Sequence, residues 1–196
     1  MNNTNLKKVI FIVAVANFCY FFVEFFFALR IHSVSLFADS IDFLEDSSIN
    51  FLIFFAIGWS LAARSRIGMI LAAIILIPGL ATLWAVWQQI IFHKPPEPTS
   101  LSLVGFGALI VNSSCALLLA EFRSHHGSII RAAFLSAKND VAANIAIILT
   151  GLLTSIYPSI WPDTIVGLAI AVLNANAAKE VYQKAREEQK LSRGVA

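Results

Sequence analysis

Four acidic residues stand within eight positions of one apolar stretch, at a spacing that could hold a cation. The stretch is SVSLFADSIDFLEDSSINFLIFFAIGW, and its acids are Asp39, Asp42, Glu45 and Asp46. A charged carboxylate at the centre of a membrane helix costs about 2.5–3.5 kcal/mol on insertion scales, so several on one helix require a bound cation, protons or a partner helix. The sequence therefore predicts a buried ion site in this segment.

The polar residues of this segment share one side of a helix. Asp39, Asp42, Asp46 and Asn50 follow one another at intervals of three or four positions, which is the spacing of a single helical face. Carboxylates at i and i+4 can reach the same ion. We therefore expect this stripe to face the interior of a helical bundle.

A later apolar segment repeats the arrangement. Ser136, Asp140 and Asn144 stand four positions apart, and Asn139 lies beside them. Two polar stripes that face each other could surround one cation with oxygen ligands. We expect the two segments to share one site.

The composition indicates a polytopic membrane protein. Of 196 residues, 58% are hydrophobic and 13% are charged, and the mean hydropathy is +0.77. The first apolar run is longer than the ~7–15 residues of a secretory signal core, so we interpret it as an uncleaved helix. Six runs approach or exceed the ~20 residues that span a bilayer core; they cover 9–30, 35–61, 67–92, 101–122, 129–153 and 160–178. We predict an all-α fold of six transmembrane helices in residues 1–180, followed by a charged cytoplasmic tail of residues 181–196.

The distribution of positive charge predicts the orientation. With the N-terminus in the cytoplasm, eleven of the 14 Lys and Arg residues lie on the cytoplasmic side, whereas Arg30 and Lys94 lie outside and Lys138 lies within helix 5. The positive-inside rule then predicts an integral membrane protein with both termini in the cytoplasm, in the plasma (inner) membrane if the source is prokaryotic. The net charge of +2 reflects this bias. We therefore expect the lipid bilayer as surroundings and no nucleic acid partner.

This topology brings the two stripes to the same depth. Helix 2 runs inward from the outside and helix 5 runs outward from the cytoplasm. At ~1.5 Å per residue, Asp42 and Asp46 lie about 10–17 Å below the outer surface, and Asp140 lies about 16 Å from the inner one. All three carboxylates are thus expected near the midplane.

Several motifs occur in an order that resembles a known family. The most specific is S-V-S-L-F-A-D-S-I-D-F-L-E-D-S at 33–47; weaker ones are Asn17 and Glu24 in helix 1, Asn112 in helix 4, R-A-A-F-L-S-A-K-N-D ending at Asp140, and W-P-D-T-I-V-G-L-A-I-A-V-L opening helix 6. Together they resemble the transmembrane part of the cation diffusion facilitator (cation efflux) family, which exports divalent metals in exchange for protons. The resemblance implies a transporter, not an enzyme, with no permanently bound cofactor.

The resemblance also implies the metal ligands. In the family, a (His/Asp)-x-x-x-Asp pair on helix 2 and another on helix 5 hold the metal. Here the first pair is Asp42 and Asp46, and the second is Ser136 and Asp140. Ser136 stands where the family usually has His or Asp, and a serine hydroxyl is a poor ligand. The fourth ligand could therefore be the amide oxygen of a neighbouring Asn or water, or that position could be open; the candidate residues are Asn144 and Asn139.

Other polar residues are expected to support the site without binding the ion; they are Asp39, Asn139, Asn50 and Glu24. Glu24 remains open between a structural acid and a secondary proton or entry-site role. The all-oxygen ligand set favours hard ions such as Mn²⁺, Mg²⁺ or Fe²⁺, whereas imidazole favours Zn²⁺. Zinc, cobalt, nickel and cadmium stay open as substrates.

The expected mechanism is alternating access with proton antiport, in which carboxylates bind metal from the cytoplasm and protons from outside displace it. Two alternatives stay open. One is a transport-deficient subunit or metal sensor of the same fold, suggested by Ser136. The other is a metal-dependent membrane enzyme, although neither basic phosphate-binding residues nor a Gly-Asp motif stand near the acids.

The remaining expectations concern the loops and the assembly. His125 and His126, between helices 4 and 5, are weak candidates for collecting metal. The short segment after helix 6 leaves no room for the soluble metal-binding domain that many family members append. We therefore expect any homodimer to form through the transmembrane helices.

Overall fold

The chain forms six helices and no strand within the residues that the structure describes. These are residues 3–56, 61–121 and 127–194 of a computed structural model. The helices are α1 (Asn3–Ile31), α2 (Val34–Ala56), α3 (Leu61–Phe92), α4 (Pro98–Ala120), α5 (Gly127–Ile156) and α6 (Trp161–Gly194). The predicted all-α fold of six helices is confirmed. His125 and His126 lie outside the described residues.

The helices pack as a four-helix group and an additional pair. α1 contacts α2 and α4, and α5 contacts α4 and α2, so these four helices enclose a common interior. α3 packs along α6, and both of these helices contact α2. Helix α2 therefore lies at the centre of the molecule, where its acids can meet residues from several other helices.

The molecule is apolar outside and polar inside. Leu103, Leu117 and Phe26 are 66%, 75% and 57% exposed, whereas Glu24 and Asn144 are fully buried. Such an inversion suits lipid surroundings, because polar groups in a membrane protein turn toward the bundle interior. The protein is accordingly a polytopic membrane protein.

Three described helical segments are long and apolar enough to cross a bilayer by length and composition; they are Asn5–Ile31, Pro98–Ala120 and Ser136–Ile156. A shorter apolar segment covers Leu80–Phe92 in α3. Helix α2 has 23 residues, enough to span, but it contains the four acids. The acids of α2 must therefore lie in the interior of the bundle, where other helices can surround them.

Candidate metal site and the network that positions it

The polar stripes of α2 and α5 meet inside the bundle. The Ser136 hydroxyl donates to Asp46 Oδ1 at 3.0 Å, and Asn144 Nδ2 donates to Asp39 Oδ2 at 2.6 Å. The two helices run antiparallel, since the later residue of α5 contacts the earlier residue of α2. Asp140, which lies between Ser136 and Asn144, is thereby directed at the middle of the α2 stripe.

Asp42, Asp46 and Asp140 form the central cluster of acids. The carboxyl group of Asp140 interacts with those of both Asp42 and Asp46. Asp46 and Asp140 are buried, and Asp42 is partly exposed. Like charges so close together repel one another, so a cation or protons must compensate them. The arrangement can therefore hold a cation or protons.

Ser136 contacts Asp46 and so fixes one of its carboxylate oxygens. Across the described ranges, no group of three or more His, Cys, Asp or Glu side chains stands ready-made for a metal ion. The assignment of Asp42, Asp46, Asp140 and Ser136 as metal ligands therefore stays a prediction.

The amide of Asn144 is engaged at both ends. Its nitrogen donates to Asp39, and its Oδ1 accepts a hydrogen bond from Asn112 Nδ2 at 3.0 Å. The oxygen that would bind a metal is thus already a hydrogen-bond acceptor in this arrangement. Asn144 thus links α2 to α4 through α5, and it fixes one carboxylate oxygen of Asp39.

The structure does not bring Asn139 into the central cluster. Its side chain is exposed, whereas the neighbouring Asp140 is buried. Successive helical residues are rotated by about 100°, so a buried Asp140 turns Asn139 away from the interior. Asn139 as a substitute ligand or supporting residue is therefore not favoured by this geometry.

Two further polar residues of α2 lie beside the cluster. Asn50 Nδ2 donates to the backbone oxygen of Asp46 at 2.8 Å, so Asn50 supports the helix turn that carries Asp46. Glu45 is buried and interacts electrostatically with Asp42 and Asp46. The central cluster thus has a further buried acid beside it.

The start of α2 is fixed by an acid from α6. Asp163 accepts hydrogen bonds from the hydroxyl of Ser33 at 2.7 Å, from the backbone N–H of Val34 at 2.7 Å, and from Ser35. Gln89 of α3 donates to the same carboxylate at 2.8 Å. Asp163 is fully buried, and it accepts from free backbone N–H groups at the first turn of α2, where a negative charge is favoured.

The sequence analysis did not predict that Asp163 of α6 contacts the start of α2. Asp163 stands in the first turn of α6, where an acid usually interacts with its own helix terminus. The predicted topology starts α2 and α6 on the same side of the membrane. This shared side of the membrane was the one indication in the sequence that Asp163 could lie near the first turn of α2.

We compared the sequence with models of known protein families and with curated proteins. A sequence model of the cation efflux transmembrane domain matches residues 10–186. The chain belongs to the cation efflux family. The cation efflux match begins within α1 and ends within α6, so it includes the central cluster and the Asp163 network. No curated protein matches the chain. This cation efflux protein is thus an integral membrane protein of a cation transporter family.

Proposed function

We propose that the protein exports a divalent metal cation from the cytoplasm in exchange for protons, with Asp42, Asp46 and Asp140 as the main ligands. The observation that carries the proposal is the interaction of the Asp140 carboxyl group on α5 with both acids on α2. Three carboxylates in a bundle interior require positive charge, and a dication or protons can supply it in turn. We propose that the protein lies in the plasma membrane and that both of its termini are in the cytoplasm.

The ligand chemistry favours a hard substrate ion. The central cluster offers oxygen atoms alone, and Ser136 adds a hydroxyl where relatives usually carry His or Asp. Oxygen ligands suit Mn²⁺, Mg²⁺ and Fe²⁺, whereas a site with imidazole suits Zn²⁺. We therefore propose Mn²⁺ or Fe²⁺ as preferred substrates over Zn²⁺.

The partial exposure of Asp42 supports a role at the mouth of the site. Asp42 is the residue of the central cluster that keeps some exposed surface, so an entering ion would meet it before Asp46 and Asp140. Conformational change that exposes the cluster to alternate sides would then move the ion. Protons that replace the ion would restore the empty, neutralised cluster.

Uptake into proteoliposomes tests the proposal. Purified protein is reconstituted with a pH reporter inside the vesicles, and Mn²⁺, Fe²⁺ and Zn²⁺ are offered in competition. We expect metal uptake with opposite proton movement in the wild type and its loss in Asp46→Asn and Asp140→Asn. Glu97→Gln, which removes an exposed loop acid, is the control and should transport normally. Normal transport by either cluster variant would contradict the assigned site.

A transport-deficient sensor or subunit is the second candidate, because the Ser136 hydroxyl is hydrogen-bonded to Asp46. A protein of that kind would bind Mn²⁺ in detergent but would move neither metal nor protons in vesicles. Binding and uptake measured on the same preparation separate the two functions.

A further inference from the structure

Glu24 is a buried acid on α1 that the central cluster does not include. Its side chain is fully buried, and neither of its carboxylate oxygens has a hydrogen-bond partner in the described part of the chain. An unpaired buried charge costs several kcal/mol. Something other than the described residues must therefore compensate Glu24.

Asp39 of α2 lies next to Glu24, and one of its carboxylate oxygens also lacks a hydrogen-bond partner. Asp39 is fully buried, its Oδ2 accepts from Asn144, and its Oδ1 has no partner among the described residues. The carboxyl groups of Glu24 and Asp39 lie close enough to interact directly, although no hydrogen bond that meets the usual geometric limits joins them. Three acceptor oxygens from two helices thus lie together without a donor.

The neighbouring polar side chain is also unable to satisfy these oxygens. Tyr20 lies close enough to interact with Glu24 and Asp39, but its hydroxyl donates to the backbone oxygen of Val104 at 2.6 Å. Its hydrogen is therefore used, while its oxygen keeps lone pairs that can bind a cation. The groups around Glu24 and Asp39 are therefore hydrogen-bond acceptors, and none of those described supplies a positive charge to the pair.

The pair is separate from the central cluster but adjoins it. Glu24 belongs to α1, which contributes no residue to the central cluster, and Asp39 precedes Asp42 by about one turn of α2. Asp42 interacts electrostatically with both acids of the pair. The pair lies toward the end of α2 that Asp163 caps, so it extends the row of acids along α2 in that direction.

We propose that Glu24 and Asp39 form a second binding site for a hard divalent cation, next to the central cluster on the side of the α2 N-terminus. Two carboxylates match the charge of a dication, and their free oxygens are the ligands that such ions prefer. Water would complete the coordination. This second site goes beyond the proposed transport function, because occupancy can be measured without transport.

Counting bound Mn²⁺ tests the second site. Full-length protein in detergent is titrated with Mn²⁺, and the free ion is measured by electron paramagnetic resonance. We expect about two bound ions per chain in the wild type and about one in Glu24→Gln. Glu97→Gln makes the same chemical change at an exposed position and should keep the wild-type count. Asp39→Asn provides a second variant if Glu24→Gln does not yield folded protein, and it should also bind about one ion.

The variants distinguish the two sites. Asp140→Asn should keep the ion at Glu24 and Asp39, and the double variant with Glu24→Gln should lose it. If Asp140→Asn leaves the count unchanged while Glu24→Gln lowers it, the second site stands and the assignment of the central cluster fails. If Glu24→Gln and Asp39→Asn bind as many ions as the wild type, the pair holds a proton instead and the second site is refuted.

Discussion

Asp163 accepts a hydrogen bond from the hydroxyl of Ser35 at 2.5 Å, although 128 positions separate the two residues. The same carboxylate also accepts from the Ser35 backbone N–H at 3.2 Å. These hydrogen bonds join the first turn of α6 to the first turn of α2, the helix that carries two of the three acids of the central cluster. The buried Asp163 carboxylate therefore helps to fix the central cluster relative to the α3–α6 pair, together with Asn174 of α6, which donates to the backbone oxygen of Ala38 at 3.0 Å.

Replacement of Asp163 by Asn should destabilise the protein. The variant removes the charge and turns an NH₂ group toward donors that need an acceptor. A hydrogen bond to a charged group contributes about 1.5–3 kcal/mol, so we expect a loss of at least about that size in the free energy of unfolding. Thermal unfolding in detergent measures it. Ser35→Ala removes one donor only and should lose about 1 kcal/mol; equal stability of Asp163→Asn and wild type would contradict the assigned role.

Gly167→Ala should push α6 away from α2. A Cβ at this position would lie 2.7 Å from the backbone carbon of Val34 and 2.8 Å from the backbone nitrogen of Ser35. Backbone atoms cannot rotate aside, so the helices must separate, at an expected cost of about 1–3 kcal/mol. Gly105→Ala is the matched comparison, because its Cβ would meet the Ile147 side chain, 2.8 Å from Cγ2. We expect the smaller decrease in melting temperature for Gly105→Ala, and the reverse order would argue against close α2–α6 packing.

Ser136→His should change metal preference. An imidazole at this position would restore the residue type common in the family and add a nitrogen ligand beside Asp46 and Asp140. We expect Zn²⁺ uptake to rise relative to Mn²⁺ uptake by about tenfold or more. Ser136→Ala, which removes only the hydrogen bond to Asp46, should weaken metal binding by about tenfold without reversing the preference. An unchanged ratio of the two metals in Ser136→His would show that position 136 does not reach the ion.

The N-terminus of α4 should contribute pH-dependent stability. Hydrogen bonds from Ser100, and further ones from Thr99, lower the pKa of Glu97 from 4.5 to about 2. A carboxyl whose folded-state pKa is depressed stabilises the fold above its unfolded pKa, and the contribution is lost as the pH falls from about 4.5 toward 2. Glu97→Gln should lower the melting temperature by about 2–4 °C at pH 7. The difference from wild type should shrink between pH 5 and about 3, and a constant difference would contradict the capping role.

Sequence reasoning located the six helices because each must present an apolar surface of bilayer length, and that requirement is local. It also paired α2 with α5, since opposite directions of travel bring Asp46 and Asp140 to matching depths. It did not identify which amide was available to the ion. Asn139 and Asn144 have the same chemistry, and only the rotation of α5 against α2 and α4 exposes the first and engages the second.

The amino-acid sequence by itself determined the family, the membrane-spanning helical character and the face of α2 that carries the acids, because motif order, hydropathy and helical periodicity depend on residues near one another in the chain. The tertiary structure decided the partners: Asp163 with the start of α2, Asn144 with Asp39 and Asn112, and Glu24 opposite Asp39. These contacts join residues that are distant in sequence. They arise from how the helices rotate and approach one another, which no local pattern specifies.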